Sequence, residues 1–342
     1  MPLKKPNYAI PFNGDLNLVR KALKTGLVSE VYFASGQKDD LIGNRYGGGE
    51  GWAFPAAEIH ELMTLCRKHG AKSNLLCNAP ALVFADKKKL FKHIHALKDL
   101  DAITVSDPIT IKIFKREFPE KDIQASLIMN LDNYTKIKQA LLLGIGTITL
   151  PGRFSRDMRA LDTINSLKRD FPDFRIKLIA NISCFLDCLF LPAHYMLGLF
   201  SSLMEKDDKL KKANTMYPET ICRPRKPSEF ISAPFIRPED INYYSKTVDA
   251  FKLVYRNQSS SALKIIYNAY FKGKFTGNLF KLLQVRTKPD DAERRKEDSG
   301  FFYCDNTKFP KDFVKTVASC DKNCEKCDYC GKIAKITGVR LT

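Results

Sequence analysis

Short apolar segments rich in β-branched residues alternate along this chain with longer segments whose apolar residues recur at helical spacing. The predicted strands are residues 30–34 (EVYFA), 72–77 (KSNLLC), 102–106 (AITVS), 123–128 (IQASLI), 147–150 (TITL), 175–180 (RIKLIA), 229–236 (EFISAPFI) and 249–255 (DAFKLVY). The predicted helices between them are residues 56–69, 87–97, 107–118, 133–143 and 156–171. This alternation predicts a parallel sheet with crossover helices. About eight such units favour an α/β fold of the (β/α)8 TIM-like barrel type over an open sheet.

The pattern changes after residue 286. Residues 287–299 are charged and nearly free of apolar side chains, so we interpret them as a linker. Residues 1–286 are then the barrel, and residues 300–342 form a small cysteine-rich module. Because about forty residues bury little surface alone, a bound metal or docking onto the barrel must hold this module together.

The chain is strongly basic, with a net charge of +18 and a sequence pI of about 9.4. Lysines and arginines are spread along the whole length. Such a surface favours a polyanionic partner, and RNA is the candidate that we consider. The alternative is that these lysines are simply solvated surface residues.

The N-terminal residues lack the apolar stretch of a signal peptide, and no apolar run is long enough to span a membrane. We therefore expect a cytoplasmic protein without a membrane span. In a reducing cytosol, the ten cysteines are expected to be metal ligands or buried thiols and not disulfides.

Four of the ten cysteines, Cys320, Cys324, Cys327 and Cys330, lie within eleven residues near the C-terminus. Structural zinc sites usually combine two Cys-x2-Cys pairs that are far apart in the chain. Four thiols on one short segment are closer to the runs that bind a [4Fe–4S] cluster. Zinc is the alternative, and redox-active thiols are a third possibility. The first three cysteines also fit the Cys-x3-Cys-x2-Cys spacing of radical S-adenosylmethionine enzymes, although the position in the chain and the fourth cysteine differ.

A second set of cysteines follows the strand at residues 175–180. Cys184 and Cys188 come directly after its C-terminal end, which in a barrel is the face that holds active sites. If this segment is helical, the two thiols share one face. Cys222 lies further along the chain, and His194 follows the cysteine pair.

The segment 181–194 is an Asn-x-x-Cys-x3-Cys-x5-His run, and the later segment 235–240 reads FIRPED. Together with EVYFA, HGAKSNLLCNA, LDAITVSDP, FPEKDIQASLIMN and LGIGTITLPGRF, these segments resemble the peptidase U32 family over most of residues 8–260. Despite that label, the better-understood members are iron–sulfur proteins. They carry out oxygen-independent hydroxylation of RNA or of a quinone ring, and some work as heterodimers.

The resemblance implies a [4Fe–4S] cluster held by Cys184, Cys188, Cys222 and a fourth ligand. Cys304 and Cys77 are the candidates for that fourth position. With the cysteine-rich tail, the chain would hold two clusters, and it would need an electron donor. The catalytic candidates are His194, Arg153 and Arg237, because arginines at strand ends suit an anionic substrate. His194 could equally be a satisfied structural histidine, and Arg237 also fits the start of a helix.

Three functions remain open at this point. The first is an iron–sulfur barrel enzyme that catalyses oxygen-independent hydroxylation of RNA or a small aromatic substrate. The second is a non-catalytic electron-transfer subunit that pairs with a homologous iron–sulfur chain. The third is a peptidase, although the sequence contains neither HExxH nor GxSxG.

Overall fold

The fold was examined in a computed structural model. It describes residues 5–34, 54–79, 82, 86–203, 226–254, 256, 258–283 and 302–341, without the side chains of 198–203. The predicted linker at 287–299 and Cys222 lie outside these residues.

Eight parallel strands form a closed barrel in chain order, which confirms the predicted (β/α)8 architecture. The strands are β1 (Tyr8–Pro11), β2 (Val28–Phe33), β3 (Lys72–Cys77), β4 (Ala102–Val105), β5 (Asp122–Ala125), β6 (Thr147–Thr149), β7 (Arg175–Ile179) and β8 (Ala250–Lys252). β1 pairs with β8 in parallel and closes the barrel.

Helices cover the outside of the barrel. They are α1 (Leu16–Leu23), α2 (Ala56–Lys68), α3 (Lys87–Ala96), α4 (Pro108–Glu117), α5 (Tyr134–Leu142), α6 (Met158–Asn165), α7 (Leu191–Leu203), α8 (Pro227–Ser232) and α9 (Ser260–Lys272). Several begin at an acidic or amide side chain that caps the helix. The side chains of Asp15, Asp107 and Asn133 each accept a hydrogen bond from the backbone N–H three residues further on. No helix among the described ranges is both long and apolar enough to cross a membrane.

The observed elements correct the sequence prediction in two places. The predicted strand at 229–236 is wrong: its first residues belong to α8, in which Phe230 and Ile231 are buried, and an extended segment follows. A short continuous apolar run does not distinguish a buried helix from a buried strand, because both have all their side chains in the core. The eighth strand is instead β1, whose four residues YAIP were not predicted as a strand.

A polar layer fills the lower part of the barrel interior. Lys177 Nζ lies 2.5 Å from Glu30 Oε2 and 2.7 Å from Gln124 Oε1. Asn74 donates to Glu30 at 2.9 Å and to Gln124 at 3.0 Å. Because every member has a partner, this layer satisfies the requirement that buried polar groups be hydrogen-bonded.

The C-terminal residues 302–341 pack directly on the barrel. They contain β9 (Phe302–Tyr303), α10 (Phe313–Ser319), α11 (Tyr329–Ile336) and β10 (Arg340–Leu341), and β9 pairs antiparallel with β10. α11 lies against α8, and Cys304, Phe313 and Ile333 belong to the same apolar core as the barrel helices. Docking onto the barrel therefore contributes to holding this segment in place.

Candidate functional site

The main cavity near the predicted site residues lies at the carboxyl ends of β5, β6 and β7. Its volume is about 320 Å³, at the lower end of the range for small-molecule sites. The lining residues are Leu127, Asn130, Asp132, Pro151, Gly152, Arg153, Ile182, Cys184, Phe185, Asp187, Cys188, Leu191, Pro192, Tyr195 and Pro234. We call this cavity the mouth cavity. Its position is the one at which barrel enzymes carry their active sites.

Cys184 and Cys188 both line the mouth cavity, and both are half-buried. The segment between them is a turn and not a helix, since Asp187 has a φ of 51° and α7 begins only at Leu191. A residue with left-handed backbone angles changes the direction of the chain within one turn. The two thiols thus line one cavity because of a turn, and the helical arrangement considered from the sequence is not the one observed.

Arg153 enters the mouth cavity from the 3-10 helix Gly152–Arg156, which follows β6. Its Nε lies 3.6 Å from Asp187 Oδ1, and both side chains are more than a third exposed. Exposed ion pairs of this kind contribute little to stability. Arg153 can therefore exchange Asp187 for an anionic group of a substrate at small cost.

Gly152 allows this 3-10 helix to lie against Pro234 on the other side of the mouth cavity. A Cβ at Gly152 would come within 2.7 Å of Pro234 Cγ. Contacts under 3.0 Å force atoms to move, so the position requires glycine. The close approach fixes the width of the cavity at Arg153.

His194 lies in α7 behind the mouth cavity and is buried. Its ring stacks on that of Tyr195, with centroids 6.1 Å apart and an angle of 14° between the planes. Tyr195 lines the mouth cavity, whereas His194 is not among the lining residues. The ring of Tyr195 thus lies at the mouth cavity, and the predicted catalytic residue His194 contacts that ring without lining the cavity itself.

Arg237 lies elsewhere, between the barrel and the C-terminal segment. It binds both carboxylate oxygens of Asp240, at 2.7 and 2.8 Å, and its guanidinium lies 4.4 Å from the ring centre of Phe309. Pro238 begins a 3-10 helix directly after it. Both the buried ion pair and the helix start are thus observed, and Arg237 does not line the mouth cavity.

The two candidates for the fourth cluster ligand are also away from the mouth cavity. Cys77 is the last residue of β3 and is fully buried, which raises the pKa of its thiol. Cys304 follows β9, and burial raises the pKa of its thiol to about 12. Neither lines the mouth cavity as described. Burial thus disfavours the thiolate form of both residues in this arrangement.

The four tail cysteines occupy the connection between α10 and α11. Cys320, Cys324 and Cys327 are exposed, and Cys330 is half-buried in the first turn of α11. Burial raises the pKa of the Cys330 thiol to about 11; Arg156 opposes this rise, and the other three cysteines add to it. Within the described ranges, no three His, Cys, Asp or Glu side chains are arranged to hold one metal ion.

Sequence reasoning missed Asp187 and Tyr195 at the mouth cavity and Lys252 inside the barrel. Lys252 is the last residue of β8, and its Nζ lies 3.9 Å from the ring centre of Tyr32. Burial, and after it the nearby Lys177, lower the pKa of this ammonium to about 7. The alternation in DAFKLVY could have indicated an inward-facing lysine, since Ala250 and Lys252 share one face of the strand.

These features define a (β/α)8 barrel protein whose carboxyl face holds a cavity lined by two cysteines, charged side chains and apolar side chains. The model of peptidase family U32 matches residues 14–178, which run from the start of α1 into β7. This is the family that the sequence motifs resemble, and the family model supports that resemblance over the matched residues. The matched region ends before Cys184, so the cysteine segments lie beyond it.

The chain is similar to two further proteins. The uncharacterized protease MJ1657 of Methanocaldococcus jannaschii is 28% identical over 237 residues, which are 69% of this chain. The aligned region spans 66% of that relative's length. The solved U32 peptidase Mk0906 superposes with a TM-score of 0.49 at 10% identity, over 74% of this chain and 93% of its own.

Proposed function

We propose that this chain is an iron–sulfur barrel enzyme of the U32 type that hydroxylates an anionic substrate, with RNA as the first candidate, by taking the oxygen atom from a bound organic oxygen donor in place of O2, so that the donor is reduced as the substrate is oxidised. The observation that carries the proposal is that Cys184 and Cys188 line the same cavity as Arg153. Cysteine thiolates are the usual ligands of iron–sulfur clusters, and arginine is suited to phosphate. The hydroxylation and the RNA substrate come from the family resemblance and agree with the net charge of +18.

The donor set at the mouth cavity suits such a cluster in part. Cys184 and Cys188 would be two of its ligands, Cys222 the third, and the fourth comes from elsewhere in the chain or from the substrate. A bound cluster supplies electron-transfer chemistry that protein side chains lack. The mouth cavity accepts a single base or a small aromatic ring by volume.

The remaining residues of the mouth cavity bind and orient the substrate. Arg153 would accept a phosphate or carboxylate in place of Asp187, which holds the guanidinium in position beforehand. Tyr195 and Leu191 offer an apolar wall on the α7 side. His194 supports the ring of Tyr195 and acts as a positioning residue.

The test is anaerobic purification followed by iron and sulfide analysis. We expect about eight irons per wild-type chain, as for two cubane clusters, and about four in a Cys184→Ala/Cys188→Ala variant. Cys66→Ala is the matched control, because Cys66 is a buried thiol on α2. Cys77→Ala and Cys304→Ala identify the fourth ligand. Equal iron in wild type and the double variant would contradict a cluster at the mouth cavity.

A peptidase is the second candidate, because the relative MJ1657 is named a protease and the family carries that label. Hydrolysis of a peptide library by metal-free protein would support it. A non-catalytic iron–sulfur subunit is the third candidate. The mouth cavity beside Cys184 favours an enzyme over a pure electron carrier, since a carrier needs no room for a substrate.

A further inference from the structure

We propose that the cations on the outer side of α3 and α4 form a docking surface for the phosphate backbone of an RNA double helix. We call this surface the basic face. Its residues are all exposed and are Lys87, Lys88, Lys89, Lys92, Lys98, Lys112 and Arg116. The choice of RNA rests on the proposed function. The basic face itself is separate from the mouth cavity, and its charges are present whatever reaction takes place there.

The first support is that α3 and α4 lie side by side, so that their cations share one surface. The ring of Phe91 on α3 packs on Phe114 and Phe118, with centroids 6.0 and 5.6 Å apart. His95 Nε2 lies 2.8 Å from Glu117 Oε1 and joins the two helices a second time. With their apolar sides turned to each other and to the core, the helices present their lysines to solvent.

The second support is that the acidic side chains of this part of the chain already have partners. Asp99 binds Arg67 of α2 at 2.6 Å, and Glu117 binds His95. The other acids of residues 86–121 bind backbone, hydroxyl or lysine groups and are Asp86, Asp101, Asp107 and Glu120. Among the described residues, none forms an ion pair with Lys88, Lys92, Lys112 or Arg116. These charges are therefore available to an external anion.

The third support is that these cations lie where they do not stabilise the helices. Lys88 and Lys92 are four residues apart on α3, as are Lys112 and Arg116 on α4, and like charges at this spacing repel each other. The first turn of α3, residues 87–89, holds three lysines and no acidic residue. The N-terminal end of a helix favours negative charge instead. Because folding gains nothing from this arrangement, an anionic partner is the interaction that it suits.

Two nearby pairs show the more usual arrangement. Lys136 of α5 lies 2.9 Å from Asp132, and Arg20 of α1 lies 3.0 Å from Glu61 of α2. Residues 87–98, in contrast, contain five lysines and no acidic residue, a charge of +5 over twelve residues. The whole chain carries +18 over 342 residues. Positive charge is thus concentrated at the basic face.

The side chains of the basic face suit a phosphate backbone better than unpaired bases. Single strands bind by stacking their bases on aromatic rings. In α3 and α4, both fully described, the phenylalanines Phe91 and Phe114 pack between the helices and leave no ring exposed for stacking. An RNA double helix is bound through its phosphates and 2′-hydroxyls, which lysine and arginine reach from a flat surface.

The basic face also reaches the side of the barrel that holds the mouth cavity. The helices of a (β/α)8 barrel begin at the carboxyl ends of the strands, so residues 87–89 lie at that face. A double-helical part of one RNA on the basic face and a nucleotide at the mouth cavity can therefore belong to the same substrate.

The experiment measures binding of the full chain to a fluorescent RNA hairpin with a stem of about 16 base pairs, by anisotropy at several salt concentrations. The test variant removes four charges of the basic face and is Lys88→Gln/Lys92→Gln/Lys112→Gln/Arg116→Gln. The control variant removes four exposed lysines on or next to α1 and α9 and is Lys21→Gln/Lys24→Gln/Lys264→Gln/Lys272→Gln. Both variants have the same net charge. We expect the slope of log K against log salt to become shallower by about 3–4 in the test variant and by less than about 1 in the control.

Three outcomes would overturn the proposal. Equal slopes in the two variants would mean that binding follows net charge and not the basic face. An equal loss of affinity for a single-stranded RNA of the same length would exclude the preference for a double helix. Polyglutamate that binds as tightly as the hairpin, and loses as much affinity in the test variant, would assign the basic face to acidic proteins.

Thermal unfolding separates this role from a structural one. The test variant should unfold at the same temperature as wild type or at a higher one, because the repulsion between like charges four residues apart is removed. Binding is measured without turnover. A failed hydroxylation assay would therefore leave this result standing, and a failed binding test would leave the iron analysis at the mouth cavity standing.

Discussion

Lys177 Nζ lies 2.5 Å from Glu30 Oε2 across the inside of the barrel, and both side chains are almost fully buried. The pair joins β2 to β7, which are not neighbours in the sheet. Gln124 Nε2 donates a hydrogen bond to Glu30 Oε2, and Asn74 Nδ2 donates one to Gln124 Oε1. Replacing one partner of such a pair leaves a buried charge that nothing compensates.

Lys177→Met is therefore expected to lower the free energy of unfolding by about 3–5 kcal/mol. The double variant Glu30→Gln/Lys177→Met should recover much of that loss, because no charge then remains buried. Chemical denaturation at pH 7 measures both. Additive effects of Lys177→Met and Glu30→Gln would contradict the coupling.

The same pair gives a pH dependence. Burial alone would raise the pKa of Glu30, but the charge and hydrogen bond of Lys177 hold it below the ordinary value. The pair's contribution is fully present above the unfolded-state pKa, about 4.3, and is lost as the pH falls through the folded-state pKa. The stability difference between wild type and Glu30→Gln should thus shrink below about pH 4. If this stability difference instead grows as the pH falls, the folded-state pKa of Glu30 lies above its unfolded-state value.

Lys252→Met is expected to stabilise the protein at low pH and much less at high pH. The folded-state pKa of Lys252 is about 7, because burial and the cations Lys177 and Arg256 lower it, while Glu30 raises it. Between pH 7 and about 10.4 the unfolded chain binds a proton that the folded chain does not, so wild-type stability rises with pH. Denaturation at pH 6 and pH 9 measures the change. If the stability difference between wild type and Lys252→Met does not change with pH, the folded-state pKa of Lys252 is not lowered.

Arg153→Ala is expected to weaken binding of a single-stranded RNA oligonucleotide and to reduce the slope of log K against log salt by about 0.7–1. Its effect on stability should stay within about 1 kcal/mol, as for exposed pairs. Arg20→Ala is the matched control, because Arg20 also forms an exposed ion pair, with Glu61 at 3.0 Å, on α1. Equal salt slopes in the two variants would place the RNA contact elsewhere.

Gly152→Ala is expected to destabilise the protein by about 1–3 kcal/mol, because the new methyl group overlaps Pro234. Gly146→Ala is the matched control: its Cβ would lie 3.6 Å from Asp122, an ordinary contact. Thermal unfolding compares the two. A smaller loss for Gly152→Ala than for Gly146→Ala would show that the 3-10 helix moves freely at the mouth cavity.

Much of the barrel was predictable because strand and helix periods differ. Lys72–Cys77 was predicted to the residue, and α4 within one residue at each end. β1 was missed since four residues, ending in a proline, give too little alternation. The run at 229–236 was misassigned because the buried residues of α8, Phe230 and Ile231, are adjacent in the chain, and a short apolar run does not separate a helix from a strand.

The candidate site was predictable where residues follow a strand directly. Cys184, Cys188 and Arg153 come just after strand ends and reach the mouth cavity. Arg237 was expected there too, but α8 is not a strand, so Arg237 does not follow a barrel strand and points to Phe309. The position of Asp187 at the mouth cavity depends on its left-handed backbone conformation, which no local sequence pattern predicts.

The polar layer around Glu30 and Lys177 fills the barrel beneath Tyr32 and Lys252. We call this layer the floor of the barrel, because a barrel interior filled by side chains is a packed core and not a pore. New specificities can then arise by exchanging the segments after β5, β6 and β7, while the floor continues to keep the barrel closed.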